Sequence, residues 1–434
     1  MIYHLSYNNK QFGGDNVHYN FYFDETFHDK KITISSNGTI NTFTEDKNDC
    51  YIGVFFGIEN SQRVTVLKKM DSLEKKYIQL LDLKEEFKST TFNRKNFKYG
   101  LRSFHKNTFN FYNEFFDFLK VINPIIHVNI LSKIEWLVRN IFDMKTVDQM
   151  KFVVNDSFYY SLTKFLIYYH TPQLIKALYE TIDEQDPAIF QKELLNHLEK
   201  VIHAIKDIER KQRELPILKD LYIIISNFRF ENKIYKKYDF IYFQNFEGLI
   251  NLLNELKISS QKVNIIIDKE DMTFRTASLY PFHNIKQVDS KNVIQIRISD
   301  HLCGFIGRMM YAMINDSSIK EDVISDIKCI EKNNLTDKRL LSDEWFDIQQ
   351  KHFQLYKKIY EVLIVQQEHY WATMTWSYND QAAMFYSLLR YFSSFSSFNE
   401  FKKYSLHEHA EFYNSACCTD LEKHFKTFNK KYGM

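Results

Sequence analysis

The chain has 434 residues, of which 44% are hydrophobic, so it can bury a sizeable core and global disorder is excluded. A formal net charge of +2 excludes a globally basic nucleic-acid coat, though not a local basic face. Five cysteines without a C-x-x-C pair or zinc spacing exclude a disulfide scaffold and a zinc module, and point to reduced thiols.

In chain order, Val17 to Phe23 alternates polar and apolar residues, predicting a strand that ends in Asp24-Glu25. Lys31 to Ser35 and Tyr51 to Ile58 predict two more strands, joined by turns at Ser36-Asn37-Gly38 and Glu45 to Asp49, an antiparallel meander. Val64 to Leu83 has helical periodicity, as does the Phe-rich Phe104 to Val121, which Pro124 stops. Ile125 to Leu131 predicts a fourth strand. From about Ser157 to Leu253 helix follows helix, with Pro172, Pro187 and Pro216 as punctuation. Val263 to Ile267 is a clear strand ending in Asp268. The β-branched run Val293, Ile294, Ile296 and Ile298 predicts another, handing over at Ser299-Asp300 to a helix carrying Leu302, Phe305, Ile306, Met309 and Met310. From Ile319 the pattern is helical again, over Trp345 to Ile364 and Gln381 to Phe392, with a Lys-rich end. The expectation is an α/β core in two parts, 1–135 and 259–318, interrupted by a helical insertion, 136–258, and followed by a helical region, 319–434. The first residues lack the pattern of a signal peptide, and no apolar run approaches the roughly 18–20 residues of a membrane helix, so a cytoplasmic protein with no membrane partner is expected.

Asp24, Asp268 and Asp300 share one feature: each lies at or just beyond the end of a predicted strand. A fourth acid, Glu86, follows the first helix. Singly, each acid reads as a turn or cap residue. Jointly, carboxylates converging at one sheet edge would repel unless cations sat between them. Two Mg²⁺ or Mn²⁺ ions about 4 Å apart suit hard oxygen ligands and grip both oxygens of a phosphodiester displacement.

Four motifs resemble, in order, those of the DUF3800 family of bacterial proteins. Phe21-Tyr22-Phe23-Asp24-Glu25-Thr26 is similar to its opening Y-x-D-E-S, and Glu86-Phe87-Lys88-Ser89 to its E-h-K-(G/S), where h is apolar. Ile265-Ile266-Ile267-Asp268 resembles its late strand. Val288-Asp289-Ser290-Lys291, with Ile294-Gln295-Ile296 and Ser299-Asp300, resembles its closing D-S-K…I-Q-(L/I)-A-D. Thr26, Phe27 and Ser299 stand where the family has Ser, Gly and Ala, and none of these departures removes a carboxylate. The resemblance covers roughly residues 17–100 and 260–310. It implies an RNase H-like mixed-sheet core and a metal-dependent nuclease with Asp24, Glu86, Asp268 and Asp300 as ligands of two Mg²⁺ or Mn²⁺ ions. Defence against phage or mobile DNA follows only by association.

Supporting roles are also expected. Strand alternation puts Glu25 on the opposite face from Asp24, as a hydrogen-bonding residue. Lys88 either orients a water or phosphate or is a solvated lysine. His301 either shuttles a proton to the leaving group or caps the helix. Between Ser89 and Thr108, Arg94, Lys95, Lys98, Arg102 and Lys106 alternate with Phe92, Phe97, Tyr99 and Phe104 and no acid intervenes. Cations for phosphates and rings for bases suit single-stranded nucleic acid. The other reading is an amphipathic segment with its rings in the core. A second function of a different class is a catalytically silent scaffold, with helices 157–253 and 320–434 docking a partner protein.

Overall fold

The computed structural model describes residues 18–27, 49–84, 86–143, 147, 155–183, 186–208, 211–230, 243–316, 340–368, 371–375 and 377–431. Six strands, β1 (Tyr19–Thr26), β2 (Cys50–Glu59), β3 (Ile125–Ser132), β4 (Val263–Asp268), β5 (Asn284–Val288) and β6 (Ala372–Thr375), form one mixed sheet in the order β5-β4-β1-β2-β3-β6. β1, β2 and β3 are antiparallel neighbours. β4 runs parallel to β1, β5 parallel to β4, and β6 parallel to β3. β2 is a near-continuous apolar run because helices cover both of its faces.

Side chains alternate between those faces. Tyr22, Ile52, Val54, Phe56 and Ile266 enter one core with helices α1 (Arg63–Leu80) and α2 (Lys106–Ile122). Tyr19, Phe21, Phe23, Phe55, Ile265 and Ile267 enter a second core, under α8 (Phe243–Glu255) and α9 (Asp271–Ala277). Between them in sequence, α3 (Lys133–Ile141), α4 (Asn155–Tyr169), α5 (Pro172–Asp183), α6 (Pro187–Ile205) and α7 (Leu215–Asn227) build a third core, which meets the sheet at Tyr51 and Leu131. α10 (Ile294–Ile314) lies on the first face, together with α11 (Gln350–Tyr360), α12 (Asp380–Ser394), α13 (Phe398–Phe401) and α14 (Leu406–Lys431). The expected α/β class is therefore observed, as a mixed sheet with helices on both faces. Among the described residues no helix is long and apolar enough to cross a membrane.

One predicted element is wrong in a way that matters. The run from Val293 to Ile298 is not a strand: α10 begins at Ile294, and Asp300 sits in its second turn rather than at a strand-to-helix junction. The β-branched run Val293, Ile294, Ile296 and Ile298 favours a strand locally, but the whole stretch is taken up by a buried helix. Gln295 is buried, and Arg297 makes a two-pronged ion pair with Glu74 of α1 at 2.5 and 2.7 Å. A helix buried nearly all round carries no periodic signature. The short strand β6 is not legible in the sequence pattern. The predicted strand Lys31 to Ser35 lies outside the described residues.

Candidate functional site

β1 and β4 pair in parallel up to Phe23 opposite Ile267. The next residue on each strand is an acid, so Asp24 and Asp268 stand side by side at the C-terminal ends of strands about 4.8 Å apart. They share a face, because Tyr22 and Ile266, two residues earlier, both enter the core beneath α10. Asp24 Oδ1 accepts the Glu25 N–H at 2.8 Å. Asp268 Oδ1 accepts the N–H groups of Lys269 (2.8 Å) and Ser290 (3.1 Å). Burial pushes the Asp24 carboxyl well above the usual range, and the charges of Asp300, Glu25 and Asp268 push it further.

Asp300 reaches this corner from α10. Ser299 Oγ donates to the Tyr22 carbonyl at 2.8 Å, and Cys303 Sγ to the Ile52 carbonyl at 3.2 Å, which pins the helix across β1 and β2. The close approach needs a helix without bulk at Gly307, where a Cβ would come within 2.7 Å of Thr26 Cγ2 and 2.9 Å of Phe27 Cε2. Phe27 itself holds φ +58°, a left-handed conformation that glycine adopts more readily, at the position where the DUF3800 motif has Gly. Both oxygens of Asp300 are gripped by Ser89, through its N–H at 2.7 Å and its hydroxyl at 2.6 Å.

That grip brings in Glu86. Phe87 is fully buried, stacked 6.1 Å from Tyr77 and tilted against the His301 ring at 4.8 Å, so the chain through 86–88 is anchored by its middle residue. Both carboxylate oxygens of Glu86 are buried without a hydrogen-bond partner, and Lys88 Nζ stands 3.5 Å from Oε2. A buried carboxylate that accepts no hydrogen bond is costly unless a cation meets it. The acids at the corner, Asp24, Asp268 and Asp300, offer hard oxygens only, while the Glu86 charge acts on Glu74 and Arg297. Such oxygens suit Mg²⁺ or Mn²⁺ in kind. Among the described residues, no group of three or more His, Cys, Asp or Glu side chains is preassembled around one point where an ion would sit.

Other expected residues fall elsewhere. Glu25 does lie on the opposite face, where it accepts the Tyr51 hydroxyl at 2.6 Å, and Tyr51 in turn accepts from Asn245 at 2.6 Å. His301 does not cap the helix, which begins at Ile294. It is fully buried among Phe87, Phe111 and Phe115, and burial lowers its pKa to about 4, so the ring is neutral at ordinary pH. The cations Arg94, Lys95, Lys98, Arg102 and Lys106 are exposed as expected, but Phe92, Phe97 and Phe104 are buried in the core and offer no faces to bases. Arg102 pairs with Asp347 at 2.7 Å. Arg94 lies over the rings of Tyr311 (4.9 Å) and Phe27 (5.9 Å), beside the Asp24 corner.

Three contributors were not singled out from sequence: the Ser89 clasp, the Ser290 N–H on Asp268, and Arg297, which also donates to the Ser290 carbonyl at 2.6 Å. The one available signal was Arg297, a cation within an apolar run. No family model, no curated protein and no solved structure matches this chain.

Proposed function

We propose that this protein is a metal-dependent nuclease that hydrolyses phosphodiester bonds of nucleic acid on an RNase H-like core. The observation that carries the reading is the convergence of Asp24, Asp268 and Asp300, from two strand ends and a helix far apart in sequence, on one corner of the sheet. Such a concentration of carboxylate is a cost to the fold unless it serves a cation. The strand order supports the fold assignment: an antiparallel trio β1-β2-β3, with β4 and then β5 added in parallel on the β1 side. The order of the four DUF3800-like motifs supports the family.

Asp24, Asp268, Asp300 and Glu86 would hold two Mg²⁺ or Mn²⁺ ions, which when bound supply Lewis acidity at the scissile phosphate. Ser89 fixes the orientation of Asp300, and the N–H groups of Lys269 and Ser290 fix Asp268, so those two carboxylates lose little freedom on binding. Lys88 balances Glu86 and, half exposed, directs its remaining N–H donors toward a phosphate oxygen. The exposed cations from Arg94 to Lys106 follow the nucleic-acid backbone, giving affinity that weakens with salt. With Phe92, Phe97 and Phe104 buried, half-buried Tyr99 is the ring of this run left at the surface, under Lys98 and Arg102, so the segment contributes charge more than stacking.

A second reading, a scaffold that binds a partner protein through its helices, is favoured by the exposed Ile217, Tyr222 and Ile223 on α7. The two are separated by assaying wild type, Asp24→Ala and Asp300→Ala on single-stranded, duplex and hybrid substrates with Mn²⁺ or Mg²⁺. The nuclease reading expects cleavage by wild type alone. Equal activity in all three, or none in any, favours the scaffold.

A further inference from the structure

We infer that His18 and His283 form a two-imidazole site for a borderline divalent ion of the Zn²⁺ kind, at the edge of the sheet where β1 and β5 begin. The inference is independent of the carboxylate reading. Six residues of extended chain lead from His18 to Asp24, so the two sites lie about 20 Å apart, at opposite ends of β1. Strand pairing brings the two histidines together. β1 pairs with β4 and β4 with β5, all in parallel, and His18 and His283 each stand just before the first residue of their strand. Both backbones are pinned. The Asn60 N–H donates to the His18 carbonyl at 2.9 Å, and the His283 N–H donates to the Val263 carbonyl at 2.9 Å. Just inside this edge an asparagine ladder, Asn264 to Asn20 at 3.0 Å and Asn20 to Asn60 at 2.6 Å, stitches β4, β1 and the turn after β2.

The two ring centres are 5.4 Å apart, with their planes at 45°. Two imidazoles on one tetrahedral ion have ring centres about 5 Å apart, given Zn–N bonds of about 2.0–2.1 Å. The pair therefore already has the spacing of a chelate. His18 Nδ1 is buried with no hydrogen-bond partner. Ring stacking gives that nitrogen nothing, and a buried polar atom left unpaired is a cost. An ion held between the rings takes a lone pair from each. His283 is exposed, so the ion has a path from solvent. Imidazole nitrogen suits Zn²⁺, where the carboxylates of the other edge suit Mn²⁺. Among the described residues no third His, Cys, Asp or Glu joins the pair. Water then fills the remaining positions of the tetrahedron, as in an open zinc site. Bound there, the ion clips the start of β5, the edge strand of the sheet, to the start of β1 across β4.

The test is a Zn²⁺ titration by calorimetry, with excess Mn²⁺ present to occupy hard-oxygen sites, on wild type, His18→Gln, His283→Gln and Asp24→Asn. Wild type is expected to bind one Zn²⁺ ion under these conditions. Each histidine variant should bind it at least about tenfold more weakly, the least that loss of a directly bonded group should cost. Asp24→Asn should keep wild-type Zn²⁺ affinity, because its carboxylate stands at the other edge. Thermal melts give a second reading: Zn²⁺ should raise the melting temperature of wild type and of Asp24→Asn, but not of His283→Gln. Wild-type Zn²⁺ affinity in His283→Gln overturns the inference. So does a Zn²⁺ ion that Asp24→Asn loses and His283→Gln keeps, which would place the ion at the carboxylates. A wild type that takes up no Zn²⁺ overturns it as well. If His18→Gln fails to fold, the exposed His283 carries the decision by the same criteria.

Discussion

Replacing Asp24 by Asn should stabilise the metal-free protein while abolishing its response to Mn²⁺. Asp24 stands beside three other carboxylates, of which Asp300 acts on it most and Asp268 least; groups on neighbouring strands are separated by roughly 5 Å. At an effective dielectric of about 20, one such like-charge pair costs about 3 kcal/mol. Partial exposure of Asp24 and salt screening reduce this to about 1–2 kcal/mol. Asn keeps an acceptor for the Glu25 N–H, so the local backbone needs no change. The pH dependence has a fixed sign. Because the Asp24 carboxyl is raised in the folded state, that state holds a proton the unfolded chain has already released, and stability falls as pH rises through the raised value. The advantage of Asp24→Asn should therefore vanish below about pH 4 and open toward neutral and alkaline pH. Thermal melts from pH 4 to 9 in EDTA read this as an upward shift of a few degrees at the alkaline end. With Mn²⁺ the order should reverse: at about 100 times its dissociation constant the ion adds about 2.7 kcal/mol to wild type and little to the variant. A variant that melts lower than wild type in EDTA at pH 8, or that gains as much from Mn²⁺, would show that these carboxylates neither repel nor share an ion.

Glu86→Gln should weaken Mn²⁺ binding in the same titration and lower the metal-free melting temperature little, since the carboxylate accepts no hydrogen bond and its ion pair with half-exposed Lys88 is long, at 3.5 Å; a clear drop in metal-free stability with unchanged Mn²⁺ binding would make Glu86 a structural acid. His301→Phe should leave metal binding and cleavage intact and change stability at neutral pH little, because a phenyl ring fits the pocket of Phe87, Phe111 and Phe115. It should also blunt acid unfolding. With its pKa lowered to about 4 from the ordinary 6.5, His301 is neutral in the fold but charges in the unfolded chain, so wild type sheds about 3 kcal/mol between those two values and the variant does not. Urea melts at pH 7.5 and 4.5 decide it, and a large loss of activity at unchanged stability would restore His301 to the chemistry. Gly304→Ala should lower both stability, by about 1–3 kcal/mol, and Mn²⁺ affinity, because its Cβ would meet Ser89 Oγ at 2.4 Å; calorimetry and the Mn²⁺ titration read the two losses, and an innocuous alanine would mean that the Ser89 clasp is loose.

The strand-borne acids were legible for a simple reason. An apolar run that ends in Asp marks both the strand and the place where it emerges, and a parallel register does the rest for Asp24 and Asp268. Asp300 was singled out as the acid at an expected strand-to-helix junction, which the structure replaces with the interior of a helix, and that error explains the misplacement of His301. At a strand-to-helix junction, the residue after Asp300 could still face the site. Inside a helix, one residue onward is about 100° round the axis, which turns His301 into the Phe87, Phe111 and Phe115 pocket, while the neighbours that share the Asp300 stripe are four and eight residues on. The same holds for the segment from Phe92 to Phe104. Its pattern of rings and cations was visible, but a string of short 3₁₀ turns, from Ser89–Thr91 to Gly100–Ser103, sends the rings inward and leaves the cations outside. What the sequence withheld was the partner across the longest separations: Ser89 with Asp300, 211 residues apart, and Glu74 with Arg297, 223 apart. Each is a polar residue whose type is ordinary and whose importance lies in what the topology sets opposite it. Arg297 shows how one such contact joins levels. The guanidinium that pairs with Glu74 of α1 also holds the Ser290 turn, whose N–H orients Asp268. One guanidinium therefore links α1, α10 and the turn that orients Asp268.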